Sequence, residues 1–342
     1  MDASLLIIGA GPAGLWAAWT AAQQNPPGGV LVVDRLDGPG VKLAATGGGR
    51  GNLSHLATEE DFAAAFGHSG RFTLPAFRVL PPEKLRAGLA RIGIPSAVDD
   101  EGRIYPASQS AVQARDALFA ACARAGVRFR FKHRVTRLSP PTGPGQPWRV
   151  DAMAARVVLL AAGGQSAARL GSDGSGFALA KSLGYDIVPP VPALVPLHTI
   201  EKWPAAHSGL SLPDVSIRIA EARGAAALER GALLFTHHGL SGPAVLNLSG
   251  RVARRLLTHK AVRLELALLE EKPDFLQLRQ TTGSRTVLAW LAGKMPRTLA
   301  RTLLDLSGIP PEQTFSRLAA NQAHELARHL AALPLAVCTT GG

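Results

Sequence analysis

A Gly-x-Gly-x-x-Gly run at Gly9–Gly14, set between an apolar stretch and a helix-forming one, leaves this chain few choices of fold. Ser4–Ile8 reads as a short buried strand, and Val30–Val33 as a second. Between them Leu15–Gln23, rich in Ala and Trp, reads as a helix packed closely on a sheet, which completes one βαβ unit. Each glycine has its own task in such a unit. Gly9 makes the tight turn, Gly11 lets the backbone approach a pyrophosphate, and Gly14 lets helix and strand pack closely. A Cβ branch at Gly11 is expected to block the pyrophosphate and to strain φ. Pro12 and Ala13 open the helix, where free N–H groups and the helix dipole favour a diphosphate. Asp34 ends the second strand, twenty residues after Gly14. A carboxylate there accepts hydrogen bonds from ribose hydroxyls and repels a 2′-phosphate. Arg35, next in the chain, softens that discrimination.

Two further segments point to the same site. Val157–Ala161 is a buried apolar strand that ends in Ala162-Gly163-Gly164. Small residues there suit a chain that returns beneath a dinucleotide, and equally a core strand with a glycine turn. Behind the Gly9–Gly14 turn they favour FAD over NAD as the dinucleotide. The second segment is Lys42-Leu43-Ala44-Ala45-Thr46-Gly47-Gly48-Gly49-Arg50-Gly51-Asn52-Leu53-Ser54. Three consecutive glycines permit positive φ and a backbone cradle, while Lys42 and Arg50 bring positive charge near a phosphate or a reduced flavin. A flexible loop is the other reading. Thr46, Gly47, Gly48, Gly49, Arg50 and Asn52, with Val135 from a later segment, complete the expected cofactor contacts. No catalytic residue and no metal ligand emerges from the sequence.

Five stretches together resemble the BaiN/RdsA (YhiN-type) family of NAD(P)/FAD-dependent oxidoreductases. They are the GAGPAG turn, the KLAATGGGRGNLSH loop, EGRIYPASQSA at Glu101–Ala111, PALVPL at Pro192–Leu197 and LLFTHHGLSGPAVLNLS at Leu233–Ser249. The resemblance implies an α/β fold with FAD as cofactor. A three-layer FAD-type Rossmann domain (1–188) would carry an inserted β-rich domain (189–270) and a helical subdomain (271–333), with 334–342 starting the return to the β-rich and FAD region. It implies hydride transfer between flavin and an amine, an enone or a uridine of ribosomal RNA. Two departures stand out. The family loop reads GGGRCN, with cysteine where this chain has Gly51. The family's C-terminal return, with a glycine-acid motif and a final helix, has no counterpart after Thr339-Thr340-Gly341-Gly342. The competing expectation is therefore a truncated, catalytically incompetent flavoprotein with poorly held flavin.

The remaining pattern agrees with that division. Pro82–Ile92 and Ala111–Ala125 read as amphipathic helices, Val127–Phe131 and Arg134–Leu138 as strands, and Pro140–Pro147 as a hairpin tip. Gly171–Gly176 either nests an anion or caps a helix over Phe177–Leu183. Four prolines in Pro189–Pro196 mark a linker or edge crossing. Val215–Ala220 and Ala261–Leu268 read as strands, and Thr286–Leu333 as helical with a break at Ser307–Pro311. His237-His238 sits in a loop between apolar segments; adjacent histidines would face apart on a strand, which disfavours a metal pair and leaves one histidine for a substrate wall.

Composition excludes several classes. No apolar run approaches the roughly 18–20 residues of a membrane span. Met1-Asp2 lacks the basic start of a signal peptide. Cys122 and Cys338 form neither a metal spacing nor a disulfide framework, so a cytoplasmic location is expected. The net charge of +12, mostly arginine, reflects either a genome that favours arginine codons or a polyanionic partner such as RNA. The expected substrate is accordingly a small molecule or RNA, and the oligomeric state is open. An NAD-dependent dehydrogenase would need a second nucleotide turn, which the sequence lacks.

Overall fold

The computed structural model describes residues 1–220, 228–269, 273–281 and 284–341, which fall into two compact units, Met1–Val188 and Pro189–Gly342. In the first unit β1 (Ala3–Ile8), α1 (Pro12–Ala22) and β2 (Val30–Val33) form the leading βαβ unit. Ile7 lies opposite Val32 in a parallel pair. There follow α2 (Val41–Ala44), β3 (Ser54–His55), α3 (Glu59–Ala65), α4 (Gly70–Val79), α5 (Pro82–Arg91), β4 (Ser96–Val98), β5 (Arg103–Pro106) and α6 (Ala111–Arg124). The unit ends with β6 (Arg128–Arg130), β7 (Leu138–Ser139), β8 (Trp148–Val150), β9 (Met153–Leu160) and α7 (Ser175–Ser182).

The main sheet has the order β6-β2-β1-β9-β8-β7. Its first four strands are parallel and its last two antiparallel. β1 and β2 are apolar throughout because both faces of the sheet are covered. On one face Ile7 and Val32 pack with Leu15, Leu89 and Leu118; on the other Leu6 and Val33 pack with Val150 and Leu179. This is the expected three-layer α/β arrangement. β3, β5 and β4 form a small second sheet.

Three stretches of this unit differ from the sequence reading, among them Val157–Ala161, expected to be buried and in fact half-buried or exposed. Of the strand expected over Arg134–Leu138, only Leu138–Ser139 pairs. The Asp151 carboxylate accepts N–H bonds from Thr136 (3.1 Å) and Arg137 (2.8 Å), which curls the preceding residues into an irregular segment. Helices α3 and α4 are not among the expected elements; Thr58 caps α3 by accepting the Asp61 N–H. β8 covers β9 only over Met153–Ala155. Beyond it no strand among the described residues pairs with the outer edge of β9, where Val157 (50%) and Leu159 (37%) are exposed.

The second unit contains β10 (Leu197–Thr199), β11 (Ser211–Ile219), β12 (Leu228–Thr236), β13 (Gly239–Ser241), α8 (Pro243–Leu256) and β14 (Val262–Ala267). It continues with α9 (Phe275–Thr281), α10 (Val287–Leu291), α11 (Arg297–Leu306), α12 (Ala320–Ala332) and β15 (Leu333–Thr340). The strands close into a barrel of order β10-β13-β12-β11-β14-β15. Closure removes the exposed edges that an open sheet would leave.

Val245, Leu248 and Val252 of α8 share one buried core with barrel residues such as Phe235 and Leu264. Leu299, Leu303, Leu326 and Leu330 of the later helices belong to that same core. The helical stretch therefore has no core of its own, and the boundary expected at 270/271 lies outside the described residues. The segment expected to begin a return at 334 is a barrel strand, with Leu335 opposite Leu264 and Thr339 opposite His198. Among the described residues no helix is long and apolar enough to cross a membrane.

Candidate functional site

A groove of about 270 Å³ opens in the first unit where β1, β2 and β9 end and α1 begins. The expected residues Gly9, Gly11, Pro12, Ala13, Asp34, Arg35, Lys42, Val135, Ala162 and Gly163 all line it. The glycines divide the work sterically. Gly9 holds φ +114°, and a Cβ there would lie 2.3 Å from the Ala161 carbonyl oxygen. A Cβ on Gly14 would lie 1.9 Å from the Gly9 carbonyl oxygen, so this residue packs behind the groove rather than lining it. Gly11 has φ −72° and ψ 176°, which any residue adopts, and a Cβ there would meet nothing within 4 Å. The backbone strain expected at Gly11 thus resides at Gly9, and a side chain at position 11 would project into open space.

Asp34 holds this turn together. Its Oδ2 accepts the Ala10 N–H at 2.6 Å, and its Oδ1 accepts the Leu36 N–H at 2.8 Å. Each carboxylate oxygen keeps a second lone pair for a ribose hydroxyl. Sequence reasoning gave Asp34 the ligand role alone. The internal one has no signal beyond the carboxylate at a strand end.

Arg35, Arg134 and Asp173 form an ionic cluster beside the groove. The Asp173 carboxylate lies 2.7 Å from the Arg134 guanidinium and 3.6 Å from that of Arg35, and it accepts the Ser175 N–H at 3.1 Å. Hydrogen bonding from the Ser175 hydroxyl, followed by that from Arg134, holds the Asp173 carboxyl far below the usual carboxylate range. In the Gly171–Gly176 run, Asp173 thus anchors the start of α7, while Gly171, Ser172 and Ser175 line the groove. Arg35 donates to the Ala168 carbonyl at 3.3 Å, yet its Nε is buried without a hydrogen-bond partner. A buried donor left unmatched is costly, and it marks a place for a ligand acceptor.

The glycine loop lies apart from most of this. Thr46–Gly49 forms tight turns in which Gly47 and Gly48 are left-handed, at φ 57° and 64°. The Thr46 hydroxyl donates to the Leu43 carbonyl at 2.8 Å. Arg50 stacks over the Tyr105 ring, 4.6 Å from its centroid, which draws the loop onto β5. Lys42 lines the groove and also a second cavity, to which Thr46 and Asn52 belong. Gly47, Gly48, Gly49 and Arg50 line neither, and neither does Gly164, whose carbonyl accepts the Gly174 N–H at 3.0 Å.

In the second unit, described by itself, His237 and His238 occupy the turn between β12 and β13, in agreement with the loop expected there. The His238 ring lies 5.1 Å from that of His198. Among the described residues no group of three His, Cys, Asp or Glu side chains could hold a metal ion.

Comparison with known proteins extends this picture. The HI0933-like protein Rossmann domain family matches residues 3–342. The chain is 30% identical to the 3-dehydro-bile acid delta(4,6)-reductase of Clostridium scindens, over 98% of this chain and 83% of that protein. It is 29% identical to the ribosomal RNA dihydrouridine synthase of Escherichia coli, over 89% of this chain and 74% of that protein. Among solved structures it is similar to a 3-ketosteroid-delta4-(5alpha)-dehydrogenase from Rhodococcus jostii, with 16% identity, a TM-score of 0.44 and coverage of 77% of this chain and 66% of that one. With the glycine turn, its aspartate and nearly the whole length matched, the chain belongs to the HI0933-like family, the FAD-dependent oxidoreductases that its motifs resemble.

Proposed function

We propose that the groove at the start of α1 holds the FAD and that the chain reduces a carbon–carbon double bond conjugated to a carbonyl. The observation that carries the first part is the free space over Gly11 at an uncapped helix start, with Asp34 and the unmatched Arg35 Nε beside it. The N–H groups at the start of α1 suit a pyrophosphate. Asp34 suits the ribose, and Arg35 Nε suits an acceptor on the adenosine half. Ala162 and Gly163 leave room for the passing dinucleotide, and Lys42 supplies a cation to the same groove. The loop of Gly47, Gly48, Gly49 and Arg50 is assigned to the ring half.

Bound FAD supplies hydride chemistry. The choice of reaction rests on the names of the two relatives, a delta(4,6)-reductase of an oxidised bile acid and a dihydrouridine synthase. Both names describe saturation of a double bond conjugated to a carbonyl. For a polynucleotide form of that substrate, the chain offers its charge of +12. Arg130, Lys132 and Arg169 are exposed in the segments that border the groove. We assign the protein to the cytoplasm, in keeping with its unpaired Cys122 and Cys338.

The test begins with the absorbance spectrum of the purified chain after incubation with FAD. The chain is then reduced without oxygen and mixed in turn with a steroid 4-en-3-one, a uridine-containing RNA and a saturated ketone. Return of the oxidised flavin spectrum with either unsaturated compound and not with the saturated ketone is the expected result. A colourless chain defeats the cofactor assignment, and reoxidation by none of them defeats the reaction.

A further inference from the structure

The second cavity of the first unit, about 260 Å³, has a construction unlike that of the groove. Its floor is Leu89, Ile94, Ala114 and Leu118, all buried, from α5, the turn after it and α6. Trp16 of α1 forms one wall. Its polar residues are confined to the other end, where Asn52 is exposed and Lys42 and Thr46 are half-buried. The gradient of burial therefore sets the mouth at Lys42 and Asn52 and the blind end among the leucines.

An apolar floor reached from a solvent-open end favours an apolar occupant. The Trp16 wall is fixed from behind. A Cβ on Gly88 of α5 would lie 2.6 Å from the Trp16 ring, so the indole rests directly on the Gly88 backbone. An apolar, aromatic-walled pocket, open at the end that holds its one cation, is the arrangement that receives a compact apolar body ending in an anion.

We infer that this cavity is a binding site, distinct from the dinucleotide groove, for a small ring-bearing carboxylate whose apolar body lies against Trp16 and whose carboxylate meets Lys42. The occupant is of bicyclic size. Asn52 offers an amide N–H to the second carboxylate oxygen, and Thr46 closes the mouth with its hydroxyl turned back onto Leu43. Pro12 and Lys42 border both spaces. The inference stands on the cavity alone and needs no flavin reaction.

The probe is 2-naphthoate, titrated calorimetrically into the full chain, with 2-naphthalenemethanol as its neutral counterpart. Saturable binding of one equivalent is expected, both with the groove filled by ADP and with it filled by FAD. Ala114→Leu fills the floor and Leu53→Phe narrows the mouth; each is expected to weaken naphthoate roughly tenfold or more. Lys42→Met is expected to weaken naphthoate roughly tenfold while leaving the neutral alcohol within about twofold. Thermal melts show whether a variant is folded, and the two filling variants approach the cavity from different elements. The proposal is overturned by no saturable binding, by binding indifferent to both filling variants, or by displacement with ADP, which would put the naphthoate in the groove. Displacement by FAD but not by ADP also overturns it, since the cavity would then be the seat of the flavin ring. Colour and flavin titration of the same sample report on the cofactor reading separately.

Discussion

The Asp34 carboxylate is 2.6 Å from the Ala10 N–H, so the acid expected to read a ribose also ties the end of β2 to the glycine turn after β1. Asp34→Ala strips the acceptor from the Ala10 and Leu36 N–H groups together. Hydrogen bonds to a charged acceptor contribute about 1.5–3 kcal/mol each, and partial exposure returns some of the loss to water. We expect a stability loss on the order of 2–4 kcal/mol in urea unfolding. Adenosine-side binding should weaken with it. Asp34→Asn keeps one acceptor oxygen and should fall between. If Asp34→Ala unfolds at the parent's urea concentration while its ADP affinity drops, the residue acts on the ligand alone.

Gly11 and Gly14 should respond oppositely to a side chain. Gly11→Val meets no atom and requires no unusual φ, so folding should change by less than about 1 kcal/mol. Its side chain nevertheless enters the space assigned to the pyrophosphate, and ADP or FAD affinity should fall by about 100-fold or more. Gly14→Ala sets a Cβ 1.9 Å from the Gly9 carbonyl oxygen and should prevent the first unit from folding. Circular dichroism and nucleotide titration on the pair separate the roles. Tight ADP binding by a folded Gly11→Val variant would remove the pyrophosphate from this turn.

Much of this architecture was legible in the sequence because its physics is local. The run Gly9–Gly14 between two apolar strands, with Asp34 at the second strand's end, has one economical solution. The helices α5 and α6 announced themselves through their apolar spacing. Less legible was whatever depends on distant partners. Nothing in Arg134–Leu138 reveals that Asp151, fourteen residues beyond Arg137, will take its N–H groups and prevent a strand. Nor does Leu335–Cys338 show that it will close a barrel against β14 and β10, since a short apolar stretch fits any sheet of matching register. The Asp173 cluster is of the same kind, being joined from the segment after β2, the segment before β7 and the turn before α7.

Gly51 is where the family loop carries cysteine, and here it sits at φ +85°. A Cβ at this position would lie 3.0 Å from the Ala111 Cα and 3.2 Å from its Cβ. Gly51→Cys therefore meets both a left-handed backbone and the start of α6. We expect a loss of about 1–3 kcal/mol, read as a lower urea midpoint of the first unit. Gly51→Ala should lose as much, since the strain belongs to the Cβ and not to the thiol. A Gly51→Cys variant as stable as the parent would show that the loop relaxes to another φ at little cost.

The second unit should be sensitive to mild acid through two buried histidines. His207 is 8% exposed and lies 2.9 Å from the Thr302 hydroxyl; His329 is 6% exposed and lies 2.9 Å from the Ser307 hydroxyl. Burial lowers the pKa of both, and the Arg328 guanidinium lowers that of His329 further. Each is therefore neutral in the folded chain at a pH where the unfolded chain already binds its proton. The unfolded state then holds more protons, so stability rises with pH across this window. The contribution is complete above the ordinary histidine value of about 6.5 and is lost as the pH falls below it. The carboxylates Asp151 and Asp173, also held below their ordinary range, lose their contribution only under about pH 4, which separates the two effects. Trp203 stands 6.1 Å from the His207 ring and reports unfolding of this unit by its fluorescence. We expect the urea midpoint at pH 5 to lie below that at pH 7.5, and the difference to shrink in His207→Gln and His329→Gln, most in the double variant. An equal fall in the double variant would assign the acid response to other groups.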